Sequence, residues 1–109
     1  MKMPKNIYAW KWNIKPEYID EYVKMHINAW PDVLKAHSKA GIRNYSIFQD
    51  DNEFFYYFET EDFKKAMECL SKDPVCKRWN SITSKMIKST VNFNDKSPLP
   101  LMAQIFYLK

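Results

Sequence analysis

Glycine is nearly absent from this 109-residue chain, and the single one, Gly41, excludes two large classes of nucleotide-binding site. The P-loop and the Rossmann fingerprint both need several closely spaced glycines, so that backbone N–H groups can approach a phosphate. Cysteine is scarce as well. Cys69 and Cys76 have no CxxC pair and no histidine close by in sequence, which fits neither a disulfide framework nor a zinc site. We therefore expect reduced thiols, no metal and a cytoplasmic location.

Long apolar runs and clusters of one charge are also missing. No stretch of 18 apolar residues is present, and the start, MKMPKNIYAW, lacks the apolar core of a secretory signal. The 17 basic and 13 acidic residues give a net charge of +4, but the lysines are scattered and form no basic block. These absences predict a protein with no membrane partner and no nucleic-acid partner.

Aromatic residues are what the chain has in excess, at 17% of the sequence. A chain of 109 residues fits one domain, residues 1–109, whose single core buries roughly two-thirds of the unfolded surface. Four Trp, seven Tyr and seven Phe are more rings than such a core usually needs. Some of them are therefore predicted to line a pocket or an interface.

Hydrophobic periodicity predicts alternating strands and helices along the whole chain. Pro31 interrupts the first helical pattern, where we expect a kink or a break, and Gly41 suits a C-terminal helix cap. Asp73 before Pro74 predicts a helix N-cap. The predicted elements are strands over 6–14, 43–50, 53–60 and 102–109, helices over 16–40, 61–70 and 73–89, and an irregular loop over 90–100.

This order, β-α-β-β-α-(α)-β, is typical of the ferredoxin-like βαββαβ fold of the α+β class. That fold places helices on one face of a four-stranded antiparallel sheet and leaves the other face open. Domains of this build often pair through their open faces to form a shared α/β barrel, so we expect a homodimer.

One of the two histidines, His26, follows Tyr22 by four residues and precedes Trp30 by four. At that spacing all three side chains rise from one side of a helix. An imidazole with a pKa of about 6.5 suits proton transfer, a tyrosine hydroxyl can position a polyol, and a tryptophan ring offers a flat wall to a sugar. The alternative is a hydrogen-bonded, half-buried histidine between two core rings, and spacing alone does not separate the two. The second histidine, His37, is interpreted as solvent-exposed.

Five segments carry a resemblance to a known family: EYVKMHINAWPDVLKAH at 21–37, IRNYSIF at 42–48, DPVCKRW at 73–79, NDKSP at 94–98 and QIFYL at 104–108. Their Y-x3-H-x3-W-P and D-x-x-x-x-R-W motifs occur in one order, over about residues 6–108. The chain resembles the L-rhamnose mutarotase family. The resemblance implies ferredoxin-like dimers that interconvert the α and β anomers of L-rhamnose, a reaction that requires no metal and no organic cofactor.

The resemblance also implies roles for individual residues. The family's proton-donating histidine falls on His26, and its sugar-binding tyrosines fall on Tyr22 and Tyr45. A tryptophan pair of the family falls on Trp79 and Asn80, so only the first ring of that pair is present to stack on the sugar. On pattern alone, Tyr45 and Trp79 are also consistent with core packing.

Two departures bear on which sugar is accepted. Asn80 removes one stacking wall, and Gln104 stands where the family often has Glu. They make L-fucose, another 6-deoxyhexose, an alternative substrate, and Trp30 or Trp10 is a candidate wall for the 6-methyl group of such a sugar.

Anomer exchange requires the sugar ring to open. One group protonates the ring oxygen O5 while another removes the proton from the anomeric hydroxyl, and the open-chain aldehyde then rotates and recloses. A histidine with a tyrosine partner can supply the roughly 10²–10⁴-fold acceleration that general acid–base catalysis provides.

Two other classes of function remain as alternatives. One is a cofactor-free monooxygenase on the same dimeric barrel, which would also use histidine and tryptophan in an apolar cavity. The other is an RNA-binding sheet. The strand EFFYYFET has the aromatic residues for RNA, but it lacks glycine and carries acidic residues that repel phosphate.

Overall fold

A computed structural model describes residues 6–88 and 99–109 of the chain. Its elements, in chain order, are β1 (Ile7–Asn13), a 3-10 turn (Pro16–Tyr18), α1 (Ile19–Ile27), α2 (Pro31–Lys39), β2 (Arg43–Asp50), β3 (Glu53–Glu59), α3 (Phe63–Lys72) and α4 (Pro74–Thr83). The α+β class is therefore confirmed. Most of the loop predicted over 90–100 lies outside the described residues.

The strands form an antiparallel sheet in the order β1-β3-β2. Trp10 pairs with Tyr56 and Trp12 with Phe54, so that strand alternation puts all four rings on one face, where they are buried. The helices cover this face, and Ala66 of α3 is fully buried against it. On the opposite face Lys11 is exposed, whereas the other side chains of β1 and β3 are half-buried.

The predicted fourth strand over 102–109 is wrong: the described residues form a three-stranded sheet. Leu101 makes an isolated bridge with Trp10, and the Met102 N–H donates to the Ala9 carbonyl oxygen at 2.8 Å. Beyond that point the segment leaves β1, and Ile105 is 90% exposed. A strand is stable at a sheet edge when its side chains also bury, and within residues 6–88 and 99–109 these apolar side chains stay mostly exposed.

Pro31 breaks the first helical region, as predicted. The α1 helix ends at Ile27, and Trp30 adopts an extended backbone (φ −60°, ψ 129°) before Pro31 begins α2. A residue before proline is biased toward this extended region, and proline suits the first helical position. Trp30 therefore stands outside the helix that carries His26.

Gly41 caps α2, which confirms the predicted role of the only glycine. At φ +90° it occupies a region that side chains disfavour. Its N–H donates to the Ser38 carbonyl at 3.1 Å, and the Ile42 N–H donates to the His37 carbonyl at 3.0 Å. These two bonds form a Schellman motif, which turns the chain directly from α2 into β2.

A β-bulge near the start of β2 sets the direction of Tyr45. Arg43 pairs with Glu59 and Ser46 with Tyr57, so two residues of β2 oppose the single residue between them on β3. Asn44 takes the left-handed conformation (φ 51°) found at the first residue of a G1-type bulge, and its side-chain amide donates to Glu59 Oε1 at 3.1 Å. The bulge leaves the Tyr45 ring against the buried face of the sheet.

The helix predicted over 73–89 begins as predicted but ends at Thr83, because Ile87 already forms a bridge with Ile14 after the β1 strand. The Asp73 carboxylate accepts hydrogen bonds from the N–H groups of Val75 and Cys76, at 3.0 and 2.9 Å, and so caps α4. Both cysteines are free thiols. Cys69 is exposed, whereas Cys76 is buried, and burial beside Asp73 raises the pKa of the Cys76 thiol to about 12. Within residues 6–88 and 99–109, none of the helices is long and apolar enough to cross a membrane.

Candidate active site

A cleft of about 660 Å³ opens to solvent between α1, α2, the sheet and the second turn of α4. Its walls combine apolar side chains with a few polar and titratable ones. The lining residues are Tyr22, Val23, His26, Ile27, Ala29, Val33, Leu34, His37, Ser38, Ile42, Arg43, Asn44, Tyr45, Ile47, Gln49, Phe54 and Trp79. A concave, mostly apolar site with a few convergent polar groups is typical of small-molecule binding.

His26 lies in this cleft with a defined tautomer. Its Nδ1 is 2.7 Å from the Tyr22 carbonyl oxygen, one turn earlier on α1. Because a carbonyl only accepts, Nδ1 carries the proton in the neutral ring and Nε2 carries the lone pair. Burial lowers the pKa of His26 below its usual 6.5, and the bond to Tyr22 opposes that shift. The neutral ring is therefore the main form at neutral pH.

Two aromatic rings hold the imidazole. The Tyr22 ring centroid is 4.4 Å from that of His26, and the Trp79 centroid is 5.3 Å away in an edge-to-face arrangement. Tyr22 comes from the same helix one turn earlier, whereas Trp79 comes from α4. The surroundings of His26 therefore depend on a tertiary contact with α4 as well as on the residue spacing within α1.

The Tyr22 hydroxyl is anchored to the sheet. It lies 2.5 Å from the Tyr56 hydroxyl, and both residues are buried. Burial raises the pKa of Tyr22 to about 12, and the bond to Tyr56 opposes that rise. Tyr22 therefore stays protonated at neutral pH and is suited to orienting a ligand hydroxyl through hydrogen bonds.

Tyr45 reaches the cleft from the bulge in β2. Its ring centroid is 5.4 Å from that of Phe58, 6.1 Å from that of Trp10 and 5.8 Å from that of His37. The residue keeps 39% of its surface exposed. Its hydroxyl is nevertheless desolvated, and this burial, together with nearby Tyr22, raises the pKa of Tyr45 above its usual value.

Trp30 and Asn80 are placed differently from the other predicted site residues. Neither is among the lining residues of the cleft. The Trp30 ring packs edge-to-face on Trp79 at 5.1 Å, and the Arg78 guanidinium lies 5.0 Å from the Trp30 centroid. Trp30 therefore supports the outer side of Trp79. The structure brings together His26, Tyr22, Tyr45 and Trp79, whereas Gln104 is exposed on the C-terminal segment.

His37 is the residue that sequence reasoning missed. The prediction of a solvent-exposed side chain is wrong, because the ring is half-buried and lines the cleft. Its Nδ1 is 2.8 Å from the Val33 carbonyl oxygen, one turn earlier on α2. The spacing of four residues from the buried Val33 is a signal that was available, because it puts His37 on the buried side of α2.

Comparison with known proteins assigns the chain to a family. The family model described as L-rhamnose mutarotase matches residues 7–108. The chain belongs to the L-rhamnose mutarotase family. This confirms the resemblance seen in the sequence, and it makes the protein a member of a family of isomerases. The match includes the segments that contribute every lining residue of the cleft.

Relatives within the L-rhamnose mutarotase family are similar over most of their length. An L-rhamnose mutarotase from Listeria monocytogenes is 34% identical over 92 residues, covering 82% of this chain and 85% of the relative. One from Bacillus subtilis is 32% identical over the same length and coverage. One from Tolumonas auensis is 29% identical over 103 residues, covering 92% and 95%.

A solved structure shares the family's fold. The crystal structure of an L-rhamnose mutarotase from Formosa agariphila superposes with a TM-score of 0.75 at 22% identity, covering 96% of this chain and all of that one. At this identity the likeness concerns the fold. It extends across nearly the whole chain, so the helices and strands that frame the cleft belong to the shared architecture.

Proposed function

We propose that this isomerase interconverts the α and β anomers of L-rhamnose, with His26 as the group that transfers protons. The observation that supports it most strongly is the placement of His26 in the cleft. The bond from Nδ1 to the Tyr22 carbonyl leaves Nε2 as the reactive nitrogen, and Tyr22 and Trp79 stand beside the ring. Membership of the family supplies the substrate and the type of reaction.

The chemistry follows from this tautomer. When His26 is protonated, Nε2–H donates to the ring oxygen O5 as the C1–O5 bond breaks, while a second group removes the proton of the anomeric hydroxyl so that C1=O1 forms. Both proton transfers reverse when the sugar recloses, and the His26 ring then accepts its proton again. The aldehyde of the open chain rotates about C1–C2 in between. Because the pKa of His26 lies below 6.5, the imidazolium is a stronger acid than usual and gives up its proton readily.

The other cleft residues serve binding. Tyr22 and Tyr45 remain neutral and are proposed to orient sugar hydroxyls. The Trp79 ring forms part of the cleft wall, and the apolar side of the sugar can stack against it. Trp30 packs on Trp79 from outside the cleft and is proposed to hold that ring in place for the sugar. Asn80 directly follows Trp79 in the sequence.

The test is exchange between the two anomeric protons, measured by NMR with L-rhamnose and, in parallel, with L-fucose. The wild type should accelerate exchange of L-rhamnose above the spontaneous rate. His26→Asn, whose amide can keep the bond to the Tyr22 carbonyl, should lower the enzymic rate by at least about 100-fold. His26→Ala should lose it as well, with circular dichroism showing that the fold survives.

Comparing the two sugars tests the identity of the substrate separately from the mechanism. Faster exchange of L-fucose than of L-rhamnose would move the substrate to another 6-deoxyhexose and keep the mechanism. A folded wild-type protein that accelerates neither sugar would reject mutarotase activity. Full activity in His26→Asn would reject His26 as the proton-transfer group.

We also propose that the protein is a homodimer formed through the open face of its sheet. Apolar side chains on that face include Phe48, which is 66% exposed, and its cross-strand neighbour Phe55. The C-terminal segment adds Phe106, which is 65% exposed. An apolar surface of this kind is typical of an interface.

Light scattering tests the dimer. It should give twice the monomer mass, and Phe48→Glu should reduce it to the mass of one chain. A monomeric wild type would reject the dimer.

We expect this dimer to act in the cytoplasm. The two thiols are free, and the exposed Cys69 would remain reduced there.

A further inference from the structure

Two histidines on different helices are held in the same way against one cleft. Nδ1 of His26 lies 2.7 Å from the Tyr22 carbonyl oxygen, and Nδ1 of His37 lies 2.8 Å from the Val33 carbonyl oxygen. Each acceptor stands one turn earlier on the histidine's own helix. Because carbonyl oxygens only accept, both neutral rings carry their proton on Nδ1 and their lone pair on Nε2. The same tautomer is thus prepared twice.

His37 is positioned by its backbone as well as by its ring. Its carbonyl oxygen accepts the Ile42 N–H in the Schellman motif that ends α2, so the residue sits at a fixed corner between α2 and β2. Its ring lies 5.8 Å from that of Tyr45. Tyr45 and Tyr22 both line the cleft, and the Tyr22 ring contacts that of His26. Each histidine therefore lies beside a tyrosine of the same cleft wall.

The other titratable groups of the cleft are poorly suited to take a proton at neutral pH. Burial raises the pKa of Tyr22 to about 12 and also raises the pKa of Tyr45 above its usual value. Arg43 is a permanent cation, and its guanidinium donates to the carbonyl oxygens of Ser38 and Ile42. Among the lining side chains of the described residues, His26 and His37 are the two whose ordinary pKa lies near neutrality.

We propose that His37 is the second proton-transfer group of the anomer exchange and acts on the substrate opposite His26. This inference rests on the proposed function. The sugar would occupy the cleft between the two rings, with O5 toward one Nε2 and the anomeric hydroxyl O1 toward the other.

The step balances within the pair when one ring is protonated and the other is neutral. With His26 protonated, its Nε2–H gives a proton to O5 while the electron pair of the breaking C1–O5 bond moves to O5. Neutral His37 takes the proton of O1–H, and the electron pair of that bond forms the C1=O1 double bond. The pair again holds one transferable proton. After rotation about C1–C2, O5 attacks C1, His26 recovers its proton from O5, and His37 returns its proton to O1.

The pair requires a bell-shaped dependence of the rate on pH, since the fully protonated pair has no base and the fully neutral pair has no acid. Burial lowers the pKa of both histidines, so the maximum should lie below pH 6.5. The charged and titratable groups around His37 are Asp73 at the start of α4, which opposes the lowering, Tyr45 on β2, and Arg43, which lines the same cleft.

The test is anomeric proton exchange of L-rhamnose across pH 4.5–8, corrected for the spontaneous rate. The variants are His37→Asn, His26→Asn and the double variant. Asparagine can keep the bond to the Val33 carbonyl and removes the nitrogen that moves the proton. Lys35→Asn places the same new side chain on the exposed side of α2 and serves as the matched control.

We expect His37→Asn to lower the maximal rate on the order of 100-fold at unchanged substrate affinity and to replace the bell with a single titration. The double variant should be no slower than the slower single variant, because the two groups act as a unit. Lys35→Asn should match the wild type. A fast wild type with an equally fast His37→Asn, or a bell that persists in that variant, would overturn the role of His37 and leave the proposed function intact. A wild type that exchanges no faster than free sugar would overturn both.

Discussion

At the residue scale, this site is controlled by hydrogen bonds that determine where protons reside. A backbone carbonyl fixes the tautomer of each cleft histidine. The Tyr22 hydroxyl is held by a hydrogen bond with the Tyr56 hydroxyl. The sequence predicted His26 and Tyr22 as neighbours, because a spacing of four residues on a helix brings side chains together. It did not predict Tyr56, because a partner from a strand 34 positions away depends on the packing of α1 against the sheet.

The bond between the two tyrosines predicts a measurable stability. Tyr22→Phe leaves the buried Tyr56 hydroxyl without this partner, which should lower the free energy of unfolding by about 1–3 kcal/mol. Tyr57→Phe is the control, because the hydrogen bond it loses to Glu59 is only part-buried. Urea denaturation compares the two variants. An equal and small effect of both would show that the Tyr22 hydroxyl contributes little to folding.

At the element scale, breaks in regular structure aim the functional side chains. Pro31 separates α1 from α2, Gly41 turns α2 into β2, and the bulge at Asn44 directs Tyr45. The sequence predicted the first two because proline and glycine act through their own backbone restrictions. It did not predict the bulge, since an extra residue in a strand is defined only against the register of the strand beside it.

The bulge can be tested at its left-handed residue. Asn44→Gly should keep activity and most of the stability, because glycine adopts a positive φ without strain and only the exposed hydrogen bond to Glu59 is lost. Asn44→Val should cost about 1–2 kcal/mol or more of unfolding free energy, and it should raise the substrate concentration needed for half-maximal exchange, because Tyr45 loses its direction. Thermal unfolding and the NMR exchange assay measure these effects. Full stability and activity in Asn44→Val would show that the bulge does not position Tyr45.

At the scale of the whole molecule, the cleft exists because helices from both halves of the chain pack on one sheet face. His26 and His37 come from the first half and Trp79 from the second. Packing desolvates the histidines, and this couples the chemistry of the site to the stability of the fold. Among the described residues, the same packing leaves Phe48 on the opposite sheet face and Phe106 of the C-terminal segment exposed.

This coupling predicts how stability depends on pH. The pKa of both histidines is lower in the folded protein than the usual 6.5 of an unfolded chain, so the unfolded state binds more protons below that pH. Their neutral forms favour folding fully above pH 6.5, and this contribution is lost as pH falls through the lowered pKa values. The unfolding free energy should therefore drop between pH 7.5 and 5. The double variant His26→Asn/His37→Asn should show a smaller drop, and an identical drop would contradict the coupling.

The sequence alone determined the α+β class, the first three strands, the helix break, the cap and the family, because these depend on local periodicity, on backbone restrictions at proline and glycine, and on motifs with fixed spacing. Tertiary structure decided the rest. It placed His37 in the cleft, moved Trp30 behind Trp79, and left residues 102–109 outside the sheet. Each of these outcomes depends on which surfaces meet. The exposure of a side chain and the pairing of an edge strand depend on the neighbouring parts of the fold, so the local pattern of residues does not determine them.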